Sequence, residues 1–210
     1  QETFRLTDAD WMFTHPIVLD AVCLGRAEPE AGALCDLLSA VTPEEWDIIH
    51  AVPDFIGVNS YNGSEIAAGP DGAPVYLPRP QGFPRTALKW PITPEIMEYG
   101  YAFLFDRYQL PLYVTECGLS CNDHIFLDGN VHDAERIDFL HRYLLALRRG
   151  CERADIRGFF HWSLTDNFEW HSGYGERFGL IYVDYPTQKR ILKDSAFWFA
   201  QTARENGKNV

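Results

Sequence analysis

A chain of 210 residues with 46% hydrophobic and 14% aromatic content can bury a sizeable core, which excludes a disordered tail. Its formal net charge of −12 argues against nucleic acid as a partner, because a phosphate backbone is met by cations. No apolar run approaches the roughly 18 residues that a membrane span needs, so no membrane partner is expected.

Residues 1 to 50 read as helix and irregular loop, and Gln1 to Asp10 lack an apolar signal core. Thr42-Pro43-Glu44-Glu45 is a helix start: Thr42 can cap, Pro43 suits the first turn, and the acids favour the positive helix end. The first strand is Asp54 to Asn59, short and apolar. Ser60-Tyr61-Asn62-Gly63 then leads into about thirty residues crowded with Gly and Pro, an expected functional or mobile loop. Thr93-Pro94-Glu95 opens a second helix with Ile96, Tyr99 and Phe103 on its apolar face. Pro111 to Thr115 forms a second strand that ends at Glu116. Asp133 to about Arg153 is a long amphipathic helix with Ile137, Leu140, Leu144 and Leu147 inward. The third strand, Gly158 to Trp162, spills into a loop carrying Asp166, Glu169, Trp170 and Phe178. A short β-like run at Leu180 to Val183 and a closing helix from Lys193 to about Ala203 complete the chain.

Strand and helix thus alternate, and each strand is nearly all apolar, the pattern of a parallel sheet covered by helices. The expected class is α/β of the parallel (β/α)8 barrel type. A complete barrel of that type takes about 250 residues, so the strands here make less than half of one.

The cysteines, Cys23, Cys35, Cys117, Cys121 and Cys151, are odd in number and irregularly spaced. They read as reduced thiols, which points to the cytoplasm. Cys117, Cys121 and His124 fit no standard zinc spacing, and no metal is expected.

Glu116 closes an apolar strand, where a carboxylate would face a barrel mouth from a rigid support. Read alone, it could equally be a surface acid. A pyranose presents weakly apolar C–H faces and a rim of hydroxyls, so its site wants aromatics beside a hydrogen-bonding acid. Trp162, Glu169, Trp170 and Phe178 supply both. Core packing is the other reading of these aromatics, and the interleaved Asp166, Asn167, Glu169 and His171 count against it. His161 and His171 read as polar rim positions rather than bases.

Three stretches carry a resemblance. Val114-Thr-Glu-Cys-Gly118, Asp54-Phe-Ile-Gly-Val-Asn-Ser-Tyr61 and Gly158 to Tyr185 resemble motifs of the family 1 glycoside hydrolases, the β-glucosidase-like retaining enzymes. The resemblance implies that Glu116 is the nucleophile, with Cys117 standing where Asn is usual. It implies that Tyr61 hydrogen-bonds that nucleophile and orients it for attack, with Ser60 in place of the first Tyr of the motif. Asn59 belongs to the same motif and is a candidate sugar ligand. Trp162 would pack under the glycone, Glu169 would accept from its 4- and 6-hydroxyls, and Trp170 would donate to a neighbouring hydroxyl. Phe178 joins this platform, and Trp90 matches the tryptophan lining the aglycone side. An acid at Glu169 implies unphosphorylated β-D-glycosides, because a carboxylate repels a phosphate. Lys193-Asp194-Ser195 with Trp198 matches the closing helix of the family. Asp10-Trp-Met-Phe-Thr-His-Pro16 resembles its Trp-Phe-Leu-Asp-Pro segment, with His15 for the Asp.

The family's Asn-Glu-Pro motif, which carries the acid/base Glu, does not occur here. Residues 1–210 are therefore expected to be the carboxyl-terminal half of a (β/α)8 domain, supplying roughly its last three strand–helix units. Two functions fit. One is the nucleophile-bearing half of a retaining β-glycosidase, inactive alone and active once joined to the amino-terminal half. The other is a non-catalytic or degenerate sugar-binding or scaffold chain. Open sheet edges at Asp54–Asn59 and Gly158–Trp162 would favour self-association. Cleavage by two carboxylates requires no cofactor.

Overall fold

The computed structural model describes residues 15–26 and 38–210. The expectations for Gln1–Asp10, Cys35 and the part of the Asp10–Pro16 resemblance before His15 lie outside the described residues. In chain order the elements begin with α1 (His15–Leu24), α2 (Pro43–Ile49), β1 (Ile56–Asn59), β2 (Ile66–Ala68), β3 (Pro74–Tyr76) and α3 (Ile96–Tyr108). They continue with β4 (Leu112–Cys117), α4 (Ala134–Gly150), β5 (Ile156–His161), β6 (Ile181–Asp184), β7 (Lys189–Leu192) and α5 (Asp194–Arg204). Among the described residues no helix is long and apolar enough to cross a membrane. The chain divides into two compact units, Gln1–Ile56 with Ser64–Arg79, and Gly57–Gly63 with Pro80–Val210.

In the first unit, α2 starts as its sequence dictates. Glu45 N donates to Thr42 Oγ1 at 3.3 Å and Thr42 N donates to Glu45 Oε2 at 2.8 Å, a reciprocal cap that satisfies two otherwise orphaned amides. The Gly- and Pro-rich stretch is not wholly irregular: β2 and β3 pair antiparallel, with Ile66 opposite Tyr76. Gly72 takes the left-handed conformation (φ +82°) in their turn, and Ala73 N donates to Asp71 Oδ1 at 3.1 Å. Strands of three residues are too short to show an alternation against that background.

In the second unit the sheet order is β1–β4–β5, and β4 and β5 run parallel. The barrel is not closed, and β1 and β5 are its outer strands. Leu112 and Val114 of β4, Leu140 of α4 and Met97 of α3 are completely buried, which places the core between sheet and helices. At Gly150 a Cβ would lie 2.7 Å from Met97 O, so α4 and α3 approach closely only because that position has no side chain. The other sheet face is open: Asn59 and Thr115 are exposed, and Phe160 is 59% exposed.

The inward helix faces differ from expectation. In α3 the buried residues are Met97, Tyr101, Ala102 and Tyr108, whereas Tyr99 is 60% exposed. In α4 they include Arg136, Phe139 and Tyr143 beside Leu140 and Leu147, while Ile137 and Leu144 are only half-buried. Polar Arg136 and the phenolic Tyr143 belong to the buried stripe, and an aliphatic count alone rotates it by about one position. Strand β4 continues through Glu116 to Cys117, and β5 begins at Ile156 and ends at His161. The run after Leu180 is the first arm of the antiparallel β6–β7 hairpin.

Candidate active site

Glu116 sits within the last turn of pairing of β4, and its backbone oxygen accepts from Ser60 N at 2.7 Å. That bond ties the end of β1 to the end of β4 and brings Tyr61 over the carboxylate. Tyr61 Oη donates to Glu116 Oε2 at 2.6 Å, a short charge-assisted bond. Burial, then this bond, hold the Tyr61 phenol far above its ordinary pKa, so it remains a donor at every working pH. Tyr61 is itself held: Tyr143 Oη of α4 donates to Tyr61 O at 2.8 Å and accepts from Thr93 N at 2.9 Å. Ser60, where the family motif has Tyr, is buried and turns away from the site. Its Oγ lies 2.9 Å from Tyr101 Oη on α3. Asn59 Oδ1 accepts from Thr115 Oγ1 at 2.8 Å on the open sheet face beside Glu116.

Three rings form a wall next to the acid. Tyr61 and Trp90 meet edge-on at 5.3 Å, and Phe178 stands 6.3 Å from Tyr61 and 6.1 Å from Trp90. Trp90 is presented by a tight turn in which Thr86 N donates to Trp90 O at 2.9 Å and Lys89 adopts φ +67°. Phe178 is only 2% exposed, so it backs the wall and leaves the surface to Tyr61 and Trp90.

The loop after β5 brings a second carboxylate to the same place. The Trp162 side chain lies near enough to the Glu169 carboxylate to lower its pKa, and the peptide between Trp162 and Ser163 is cis. Desolvation raises the Glu169 pKa above the usual carboxylate value, against a lowering by Trp162, and the Glu116 and Glu176 charges add to the rise. The Glu169 charge also acts on Tyr61, so Glu116, Tyr61, Trp162 and Glu169 share one electrostatic neighbourhood. Trp170 opens a single 3-10 turn at φ +41° and is 78% exposed at the loop tip. The turn closes where Glu169 N donates to Gly173 O at 2.6 Å.

Behind the loop lies a buried polar network. Asp123, Asp133 and Asp166 meet Arg136, Lys193 and Arg177, so the buried charges balance. Asp133 does not cap its own helix; it accepts from Ser195 N at 2.8 Å and Ser195 Oγ at 2.5 Å at the start of α5. The signal for Arg136 and Tyr143 was polar residues falling on a helix's buried stripe. His161 Nε2 lies 3.2 Å from Phe178 O, and burial, then Arg136, push its pKa down to about 3. It is neutral and sits behind the wall, not in front of it. Among the described residues no group of three His, Cys, Asp or Glu could hold a metal ion, and Cys117 and Cys121 are buried thiols with raised pKa values.

A parallel β/α arrangement with Glu116 and Trp162 where its strands end is that of a TIM-barrel segment. The chain belongs to Glycosyl hydrolase family 1, whose profile matches residues 1–208. It is 40% identical over 156 residues to Beta-glucosidase A of Thermotoga maritima, which covers 73% of this chain and 35% of that protein. It is 38% identical over 208 residues to a bifunctional beta-D-glucosidase/beta-D-fucosidase of Bifidobacterium breve, covering 87% of this chain and 45% of that protein. Among solved structures, the Thermotoga maritima beta-glucosidase in complex with glucoimidazole superposes with a TM-score of 0.80 at 34% identity. That superposition covers 99% of this chain and 48% of the other. The chain thus spans half or less of the length of these relatives.

Proposed function

We propose that this chain is the nucleophile-bearing half of a retaining β-glycosidase that hydrolyses unphosphorylated β-D-glycosides. The observation that carries the reading is the 2.6 Å bond from Tyr61 Oη to Glu116 Oε2, formed within the field of Glu169. A phenol fixed on one carboxylate oxygen leaves the other oriented for attack. Glu116 adds to the anomeric carbon as the bond to the aglycone oxygen breaks, and the leaving oxygen takes a proton from an acid supplied by the amino-terminal half. Water, deprotonated by that same group, then displaces Glu116 and releases the sugar with retained configuration. Glu169 accepts hydroxyls of the glycone, Trp162 lies under its C–H face, and Trp170 closes its rim. These contacts strengthen as the ring flattens toward the transition state. Trp90 lines the aglycone side, Phe178 supports the wall, and Asn59 borders the glycone from β1.

The four described cysteines are free thiols, which fits a reducing, cytoplasmic location. The test joins the chain to its amino-terminal half and adds a 2-fluoro β-glucoside with a good leaving group. Peptide mass spectrometry is expected to find the sugar on Glu116. Label on another residue, or full turnover by the 210-residue chain alone, refutes the assignment. Sugar binding without turnover in the joined protein would establish the scaffold alternative.

A further inference from the structure

The buried network joins the two loops that carry the site. Asp123 lies in the loop that follows Glu116, and Asp166 lies in the loop that leads to Glu169. Lys193 Nζ, from the residue that precedes α5, donates to Asp123 Oδ2 at 2.6 Å and to Asp166 Oδ1 at 2.8 Å. All three side chains are 2% exposed or less. One ammonium therefore holds a carboxylate from each loop, in a place where water cannot substitute for it.

Each carboxylate passes the constraint on. Asp166 Oδ1 also accepts from Gly179 N at 3.0 Å, and Oδ2 accepts from Arg177 Nη1 at 2.6 Å and Val183 N at 3.3 Å. These bonds span the stem of the loop that bears Glu169 and Trp170. The stem is also closed by Ser163 N to Phe178 O at 3.1 Å and Leu180 N to Ser163 O at 3.0 Å. On the other side Asp123 Oδ2 accepts from Arg136 Nη2 at 2.7 Å, which anchors it to the first turn of α4. The same Arg136 nitrogen donates to Arg177 O at 2.9 Å, and Cys121 N donates to that oxygen at 3.1 Å. The two loops thus meet at a charged joint and at a backbone oxygen, and among the described residues Lys193 is the group that grips an acid of each.

We propose that Lys193 is a positioning residue: the Asp123–Lys193–Asp166 bridge sets the spacing between Glu116 and the Glu169–Trp170 turn, and through it the discrimination among glycones. This rests on the glycosidase reading above. Glu116 acts at the anomeric carbon and Glu169 at the far hydroxyls, so their separation must match one sugar ring. A joint that relaxes by a fraction of an ångström costs most for the sugar that uses both ends, because catalysis depends steeply on placement.

The test uses the chain joined to its amino-terminal half. Two variants are made, Lys193→Met, and Lys193→Met with Asp166→Asn, which removes one charge of each sign and keeps the buried network balanced. Each is assayed on an aryl β-glucoside and on the aryl β-xyloside, which lacks the hydroxymethyl group, with folding checked by circular dichroism. Loss of placement is expected to lower the glucoside-to-xyloside ratio of kcat/KM by about tenfold. A smaller active fraction lowers both substrates together and leaves the ratio alone. A folded variant with an unchanged ratio overturns the proposal, as does failure of both variants to fold, since Lys193 would then serve the fold and not the spacing. A parent protein that turns over neither substrate overturns the glycosidase reading, and the proposal with it.

Discussion

Gly118, the last residue of the Val114–Gly118 motif, offers the sharpest test of how the site is built. Its φ is not in the left-handed region, so glycine is required there for space and not for backbone freedom. A Cβ at this position would overlap the Trp162 carbonyl oxygen and lie 3.0 Å from its carbon and 3.2 Å from His161 Cε1. The carbonyl cannot swing aside cheaply, because Trp162 N donates to Cys117 O at 2.9 Å and Cys117 is completely buried. In Gly118→Ala the ends of β4 and β5 must therefore part. Losing that hydrogen bond costs about 1 kcal/mol. Forcing a methyl group into a packed region adds about 1–3 kcal/mol. The expected loss is thus about 2–4 kcal/mol, a large share of the roughly 5–15 kcal/mol that ordinarily holds a domain together. Gly129→Ala is the control: φ is +83° with nothing within 4 Å of its Cβ, so the cost is conformational only, about 1–2 kcal/mol. Urea unfolding followed by tryptophan fluorescence measures both, with an unchanged slope as the sign that only stability moved. If Gly118→Ala costs no more than Gly129→Ala, the close approach of the two strand ends does not constrain this protein.

Tyr61→Phe removes the donor to Glu116 and keeps the edge-on ring contact with Trp90; in the joined protein kcat/KM is expected to fall about 10–100-fold, the value of a charge-assisted bond of roughly 1.5–3 kcal/mol. An unchanged rate would mean that the bond orients nothing. His132 Nδ1 lies 2.7 Å from Asp194 Oδ2 and its Nε2 2.9 Å from Asp128 Oδ2, and these bonds raise its pKa, while the Asn130 backbone and side-chain amides, ahead of His132, hold Asp128 at about 2. A raised histidine contributes stability that is complete below its unfolded value and is lost as pH rises through the folded one. Asp128, lowered, keeps its contribution until pH falls through about 2. The melting-temperature gap between the parent and His132→Asn should therefore be widest below the ordinary histidine value of about 6.5 and close as pH rises through the raised folded value. A gap constant across that range removes the ion triad as its cause. Finally, the chain alone leaves β1 and β5 as outer strands with an exposed Phe160, so light scattering should find it self-associated, and a clean monomer would count against open-edge pairing.

The alternation of apolar strands with helices and the place of Glu116 at a strand end were legible because each depends on local pattern. A short apolar run followed by an acid reads the same in sequence as in space. Thr42-Pro43-Glu44-Glu45 announced its helix for the same reason, since a cap is made within one turn. The β2–β3 hairpin was not legible because strands of three residues carry too little periodicity, and β7 was not because it opens on Lys189 and Arg190 where β1 and β6 open on apolar residues. The inward face of α4 was rotated because Arg136 and Tyr143 are buried for their partners, not for their polarity.

Sequence alone determined which chemical groups this chain carries and on which strand ends they stand, because strand, turn and cap preferences act over a few residues. Only the tertiary structure decided that Phe178 backs the wall it was expected to face, that Ser60 turns away toward Tyr101, and that Lys193 joins Asp123 to Asp166. Those facts rest on contacts between residues far apart along the chain, whose energies depend on burial and on the pairing of charges that no local pattern encodes.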